Sequence, residues 1–255
     1  MEKMEKDKEQ MDQKKDQNTR KRKGEERFAI VCIGDSIVEG YPYGEQDSWV
    51  NCARRIRKDA VWINCGVSGE TTGQIRWRVK ADGLLQETAG LQGETGGLRP
   101  QTRWIVLSCG TNDFIFLEGD RGTAASAFDN IAAMVSEARQ RDIGVMVTAP
   151  PMTIPAMASR RWVDGTDYDQ VNRKLEELRL RLHRWCDKQD ENVIFLDLWE
   201  QYRRWCAEEG EIAYYVDGIH PTRKGYEKIA AFVCEKLPHM NSRLENTIEG
   251  EEAMR

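Results

Sequence analysis

The stretch "FAIVCIGDSIVEGYP", residues 28–42, decides the reading of this chain. Six residues, Phe28–Ile33, form a near-continuous apolar run of strand length, which then breaks into Gly34-Asp35-Ser36. A run without polar alternation suits a strand buried on both faces, the hallmark of a parallel sheet covered by helices. Placing a glycine, a carboxylate and a hydroxyl at its exit asks for a purpose, because polar groups leaving a core need partners or chemistry. Asp and Ser also cap helices and fix turns, so a turn with a helix cap is the plain alternative.

Outward from that strand the same rhythm repeats. Val61–Cys65, Trp104–Cys109, Gly144–Thr148 and Val193–Leu198 are further strand candidates, with helical patterns near 46–58, 71–82, 123–141, 167–188, 199–209 and 222–236. Strands alternating with helices predict an α/β domain, a mainly parallel five-stranded sheet in a three-layer α/β/α sandwich. Two stretches interrupt the alternation. Gly83–Gln101 holds five glycines, and Ala149–Thr166 holds Pro150, Pro151 and Pro155. Long connections in a compact domain are often functional, so both are expected to line a pocket.

The chain has 255 residues with 40% apolar content, enough for one large domain, expected over 27–238. Residues 1–26 carry nine basic and eight acidic side chains and almost no apolar ones, which predicts a disordered charged tail. The basic cluster Arg20-Lys21-Arg22-Lys23 is the one place in it that suggests a partner-binding arm. Residues 239–255 read as a second, acidic tail. A net charge of −5 argues against a nucleic-acid partner. No apolar run reaches the ~20 residues of a membrane span, and residues 1–26 lack the apolar centre of a secretion signal. Seven cysteines without a Cys-x-x-Cys pair read as reduced thiols, which points to the cytoplasm.

In an open parallel sheet, ligands bind beyond the carboxyl ends of the strands. Ser36 follows the first end, Gly66-Val67-Ser68-Gly69-Glu70-Thr71-Thr72 the second, and Gly110-Thr111-Asn112-Asp113 the third. A serine hydroxyl needs a base to become a nucleophile. Of three histidines, His183 lies in a helical pattern and His239 near the end of the chain. His220 stands in "YYVDGIHPT", three residues after Asp217 in a polar turn, where the carboxylate can orient the imidazole towards a serine.

These blocks resemble the SGNH, or GDSL-type, hydrolase family: Gly34-Asp35-Ser36-Ile37, Asn64-Cys65-Gly66-Val67-Ser68-Gly69, Gly110-Thr111-Asn112-Asp113, and Asp217-Gly218-Ile219-His220-Pro221, all in order. The resemblance spans residues 28 to about 236, with Ile37 where leucine is usual. It implies a flavodoxin-like fold with Ser36 as nucleophile, His220 as base and Asp217 as its partner. It also implies an oxyanion hole from the Ser36 N–H, the Gly69 N–H and the Asn112 amide, with Gly66 the rival for the glycine role. The implied reaction is hydrolysis of a small-molecule acyl ester or thioester through an acyl-enzyme, needing no cofactor and no metal. The "VSGETT" and "YPYGEQDSWV" stretches look like the branch with esterases, thioesterases and lysophospholipases; carbohydrate O-deacetylases use similar blocks. Trp49, Trp77, Phe114, Phe116, Met152 and Ile154 are candidate walls of an acyl pocket, each with a core role as the alternative. Two other classes compete: a metal-dependent phosphoesterase gathering Asp35, Asn112, Asp113, Asp217 and His220, and a non-catalytic binding module.

Overall fold

A computed structural model of the protein describes residues 28–81, 83–85, 102–162 and 165–238. The two expected tails, the Arg20–Lys23 cluster, His239 and most of the Gly83–Gln101 connection lie outside the described residues. Five strands, β1 (Phe28–Gly34), β2 (Ala60–Gly66), β3 (Thr102–Ser108), β4 (Gly144–Ala149) and β5 (Val193–Asp197), form one sheet in the order β2-β1-β3-β4-β5. Every pairing is parallel. The expected α/β architecture is therefore present, and the sheet is wholly parallel among the described residues.

Alternate strand residues feed two cores. Val31, Ile33, Ile105 and Leu107 face one layer of helices: α3 (Thr72–Ala81), α5 (Ala124–Arg139) and α7 (Tyr168–Cys186). Ile30, Cys32, Trp104 and Val106 face the other: α2 (Trp49–Ile56), α8 (Leu198–Glu209) and α9 (Arg223–Lys236). The period of two along each strand makes this partition automatic. The helices obey the complementary period, as in α7, which buries Val171, Leu175, Leu178, Leu182 and Cys186 on one stripe. Truncating Leu178 there to alanine would cost about 2–5 kcal/mol, since the side chain is fully enclosed.

The helices begin where side chains can take up orphan backbone donors. Ser48 caps α2, Thr123 caps α5, Asp167 caps α7 and Thr222 caps α9, each accepting from an N–H three residues on. Three short helices were not expected from the sequence: α1 (Ser36–Glu39), α4 (Thr111–Phe116) and α6 (Pro155–Arg161). Each follows a strand exit on the site side of the sheet, and α6 occupies the middle of the proline-bearing Ala149–Thr166 connection. The expected strand ending at Leu198 stops instead at Asp197, whose side chain accepts from Glu200 N and so starts α8.

The chain leaves β1 for β2 on one side and then passes to β3 on the other, so the order reverses beside the exit of β1. Such a reversal opens a crevice at the strand ends. Ser36 sits there.

Candidate active site

Gly34 ends β1 where no Cβ would fit, since it would lie 2.1 Å from the Ser108 carbonyl oxygen of β3. The tight exit thus needs glycine for space. Asp35 then turns the chain into α1 by accepting from Ile37 N at 3.0 Å, and Ile37 seals the turn by packing into the core. Asp35 is buried, which pushes its carboxyl from 3.8 up to about 6, with the Ile37 N–H and the nearby His220 charge partly opposing the rise. Ser36 is the first residue of α1.

Ser36 Oγ lies 3.0 Å from His220 Nε2. On the other side of the ring, Nδ1 lies 2.8 Å from Asp217 Oδ2. The same carboxylate accepts from the backbone N–H groups of Ile219 at 2.9 Å and His220 at 2.8 Å through Oδ1. Burial alone would raise the Asp217 carboxyl, but the imidazole bond, its charge and these backbone donors prevail and hold it below the usual range. An ionised Asp217 accepts a hydrogen bond from Nδ1–H, which leaves the Nε2 lone pair facing the serine hydroxyl. Ser36, Asp217 and His220 are all buried.

The turn that carries His220 is held on α6. Gly218 takes φ +87°, and a Cβ there would meet Ala158 N at 2.5 Å, while its carbonyl accepts from Ile154 N at 2.7 Å. Against the imidazole lie two aromatic rings, Tyr41 at 4.5 Å between centroids and Trp162 at 5.9 Å. Tyr226 of α9 donates its hydroxyl to the Tyr41 carbonyl at 2.6 Å. Sequence reasoning missed Tyr41 and Trp162. Trp162 lies in a connection expected to line the site, but nothing local distinguishes it from a core aromatic.

The second block wraps the first. Asn64 donates to the Val38 carbonyl at 2.8 Å and accepts from Gly66 N at 2.9 Å. Gly66 also touches α1 so closely that a Cβ would lie 2.2 Å from Glu39 N. Next, Val67 N donates to the Gly34 carbonyl, Ser68 N to the Glu39 carboxylate and Glu70 N to the Val67 carbonyl. Among the described residues no acceptor takes the Gly69 N–H. Gly69 adopts φ +81° with open space where its Cβ would be.

In the third block, Asn112 is buried and its Nδ2 donates to the Glu70 carbonyl at 2.9 Å. Asp113 lies inside α4. Its carboxylate accepts from Thr72 N at 2.8 Å and Thr72 Oγ1 at 2.6 Å, clasping the second block to the third. Burial raises its pKa against the pull of those bonds.

Of the candidate pocket walls, Trp49, Phe114 and Ile154 are buried in the cores, and Met152 is half-buried. Trp77 and Phe116 are exposed. His183 stacks on Phe195 at 5.0 Å and is half-exposed. None of the seven cysteines, all among the described residues, is in a disulfide. Among the described residues no group of three or more His, Cys, Asp or Glu is disposed to hold a metal ion, and no helix is long and apolar enough to cross a membrane.

This serine–imidazole–carboxylate arrangement on a doubly wound parallel sheet defines a class of hydrolase. The pattern of the GDSL-like Lipase/Acylhydrolase family matches residues 32–228, and the chain belongs to that family. Among solved structures it is similar to a lipolytic protein of the G-D-S-L family from Veillonella parvula, at 18% identity and TM-score 0.62 over 82% of this chain and 97% of that one. It is similar to a lipase/acylhydrolase from Enterococcus faecalis at 20% identity and TM-score 0.58, covering 82% and 94%. A catalytic mutant of an acetylxylan esterase from Geobacillus stearothermophilus aligns at 16% identity and TM-score 0.60, covering 82% and 93%. No curated protein sequence matches the chain significantly.

Proposed function

We propose that the protein is a serine esterase that hydrolyses small acyl esters or thioesters through an acyl-enzyme on Ser36. The observation that carries this reading is the continuous Ser36–His220–Asp217 chain, with contacts of 3.0 and 2.8 Å. As Ser36 Oγ attacks the acyl carbonyl carbon, its proton passes to His220 Nε2. Asp217 stabilises the imidazolium that forms. The imidazolium then gives that proton to the departing alcohol or thiol, and a water molecule, deprotonated by the same nitrogen, releases the acid and restores Ser36.

The negative oxygen formed in each half-reaction needs donors already in position. The Ser36 N–H, the Gly69 N–H and the Asn112 amide are the proposed set. Gly69 is favoured over Gly66 because the Gly66 N–H already serves Asn64, whereas the Gly69 N–H is free among the described residues. The amide of Asn112 commits one hydrogen to Glu70 and keeps a second for the oxyanion.

Seven cysteines held as thiols rather than disulfides support a cytoplasmic setting. The similarity in fold to an acetylxylan esterase brings acetylated sugars into the substrate screen beside acyl esters of graded length and acyl-CoA. The reading is tested with p-nitrophenyl acetate. Ser36→Ala and His220→Ala should each abolish nearly all turnover while the far-ultraviolet spectrum stays unchanged. A folded Ser36→Ala protein with undiminished turnover would overturn it, and loss of wild-type activity on adding a chelator would point to the metal-dependent phosphoesterase instead.

A further inference from the structure

Arg78 is the seventh residue of α3, and its side chain reaches back along the helix to the second block. Its Nε lies 3.1 and 3.0 Å from the two carboxylate oxygens of Glu70, and Nη2 lies 2.7 Å from Oε2. The same Nη2 donates to the Cys65 carbonyl at 2.9 Å. One guanidinium therefore ties both ends of the segment Cys65–Glu70, the segment that contains Gly69. From its far end, the Glu70 carbonyl holds Nδ2 of Asn112 at 2.9 Å.

The pair is not what docks the helix, since Ile75 and Val79 are already buried in the core on α3. Arg78 and Glu70 are themselves mostly enclosed, with side chains 13% and 16% exposed, so water screens their attraction weakly. The planar fork meets acceptors on two different residues, a geometry that a single ammonium cannot reproduce.

Resting on the reading of Gly69 and Asn112 as oxyanion donors, we propose that Arg78 and Glu70 are positioning residues for both donors at once. Arg78 fixes the span of the loop and so the direction of the Gly69 N–H. Glu70, held by its carboxylate, presents its carbonyl to Asn112 and so sets the turn of the amide. Misplacing a reacting group by about 1 Å can cost ~10²-fold in rate, so the clamp acts on turnover rather than on binding of the neutral ester.

The test uses the full chain with Arg78→Ala, Arg78→Lys, Glu70→Gln and Asn112→Ala, and the double variant Arg78→Ala/Asn112→Ala. For each, kcat and KM on p-nitrophenyl acetate are measured per active site titrated with a fluorophosphonate, together with the rate of Ser36 labelling and Tm. Arg78→Ala should lower kcat and the labelling rate about 10–10²-fold with KM little changed. Arg78→Lys should recover Tm but little of kcat. Glu70→Gln should fall between wild type and Arg78→Ala, and it supplies the comparison if Arg78→Ala does not fold. In the Asn112→Ala background the further loss from Arg78→Ala should shrink, because one of the donors it positions is gone. Fully additive losses, full rescue of kcat by lysine, or a lower Tm with normal turnover per titrated site would overturn the inference. If Asn112→Ala itself keeps full kcat, or Ser36 does not label, the underlying reading fails first; if those arms behave and the Arg78 variants do not, only the clamp fails.

Discussion

Asparagine at position 35 would keep the shape of Asp35 and its bond to Ile37 N, because an amide oxygen caps a helix about as well as a carboxylate. What Asp35→Asn removes is the ionisation of a buried group. A carboxyl moved from 3.8 to about 6 makes the folded protein bind its proton more tightly than the unfolded chain does. The associated stability is complete below the unfolded value and is lost as pH rises through about 6. At about 1.4 kcal/mol for each tenfold difference in proton affinity, the ionised side chain costs about 3 kcal/mol at pH 7.5 and about 1 kcal/mol at pH 4.5. Asp35→Asn should therefore be more stable than the wild type, by about 3 kcal/mol at pH 7.5 and by about 1 kcal/mol at pH 4.5. Urea unfolding of both proteins at the two pH values gives the difference directly, with equal slopes as the check that the unfolded states match. The charge of Asp35 also acts on His220, so the stabilised variant is expected to turn over more slowly, a trade seen where strain sits in an active site. A gain that does not vary with pH, or a loss of stability at pH 7.5, would refute the reasoning.

Asn112→Ala should lower kcat about 10²–10³-fold, a loss of roughly 2.7–4 kcal/mol in transition-state stabilisation, with a smaller change in KM; Asn112→Asp should do no better, because a carboxylate would repel the oxyanion. Near-normal kcat in a stable Asn112→Ala protein would remove that residue from the site. Gly66→Ala should lower stability by about 1–3 kcal/mol or more, since its Cβ would strike the backbone at Glu39 N. Gly69→Ala meets nothing but has φ +81°, so its cost should be about 1–2 kcal/mol, and thermal melts of the two should rank in that order. Asp217→Asn should depress kcat by up to about 10⁴. Its stability deficit should be present at neutral pH and close as pH falls below 3.8, because the native carboxyl is held under that value and its contribution is lost on protonation.

The strands were legible because a doubly covered parallel strand must be apolar along its length, and Phe28–Ile33 or Val193–Phe195 can be little else. Boundaries slipped by a residue or two for a physical reason. Asp197 ends one element and caps the next in a single step, and Asp197-x-x-Glu200 was a readable start signal that the apolar Leu198 concealed. The helices α1, α4 and α6 span one or two turns, too few for a period to emerge, although Pro155 at the head of α6 was a local hint. The four polar blocks pointed to the candidate site because each lies at one strand exit or one turn. The Arg78–Glu70 clamp and the rings on His220 could not be found the same way, because they join residues whose partners only the fold supplies.

The contact between Ser36 and His220 joins positions 184 residues apart. A chain emerging from the ribosome thus exposes the proposed nucleophile, and later Asn112, well before the proposed base exists. Until the turn at Asp217–His220 has been made and seated on α6, the hydroxyl has no proton acceptor. The long separation delays chemical competence until that turn has been made and docked. It also means that a cut between β4 and β5 would leave two pieces, one with a serine and one with an imidazole, neither able to hydrolyse an ester by this route until they reassociate.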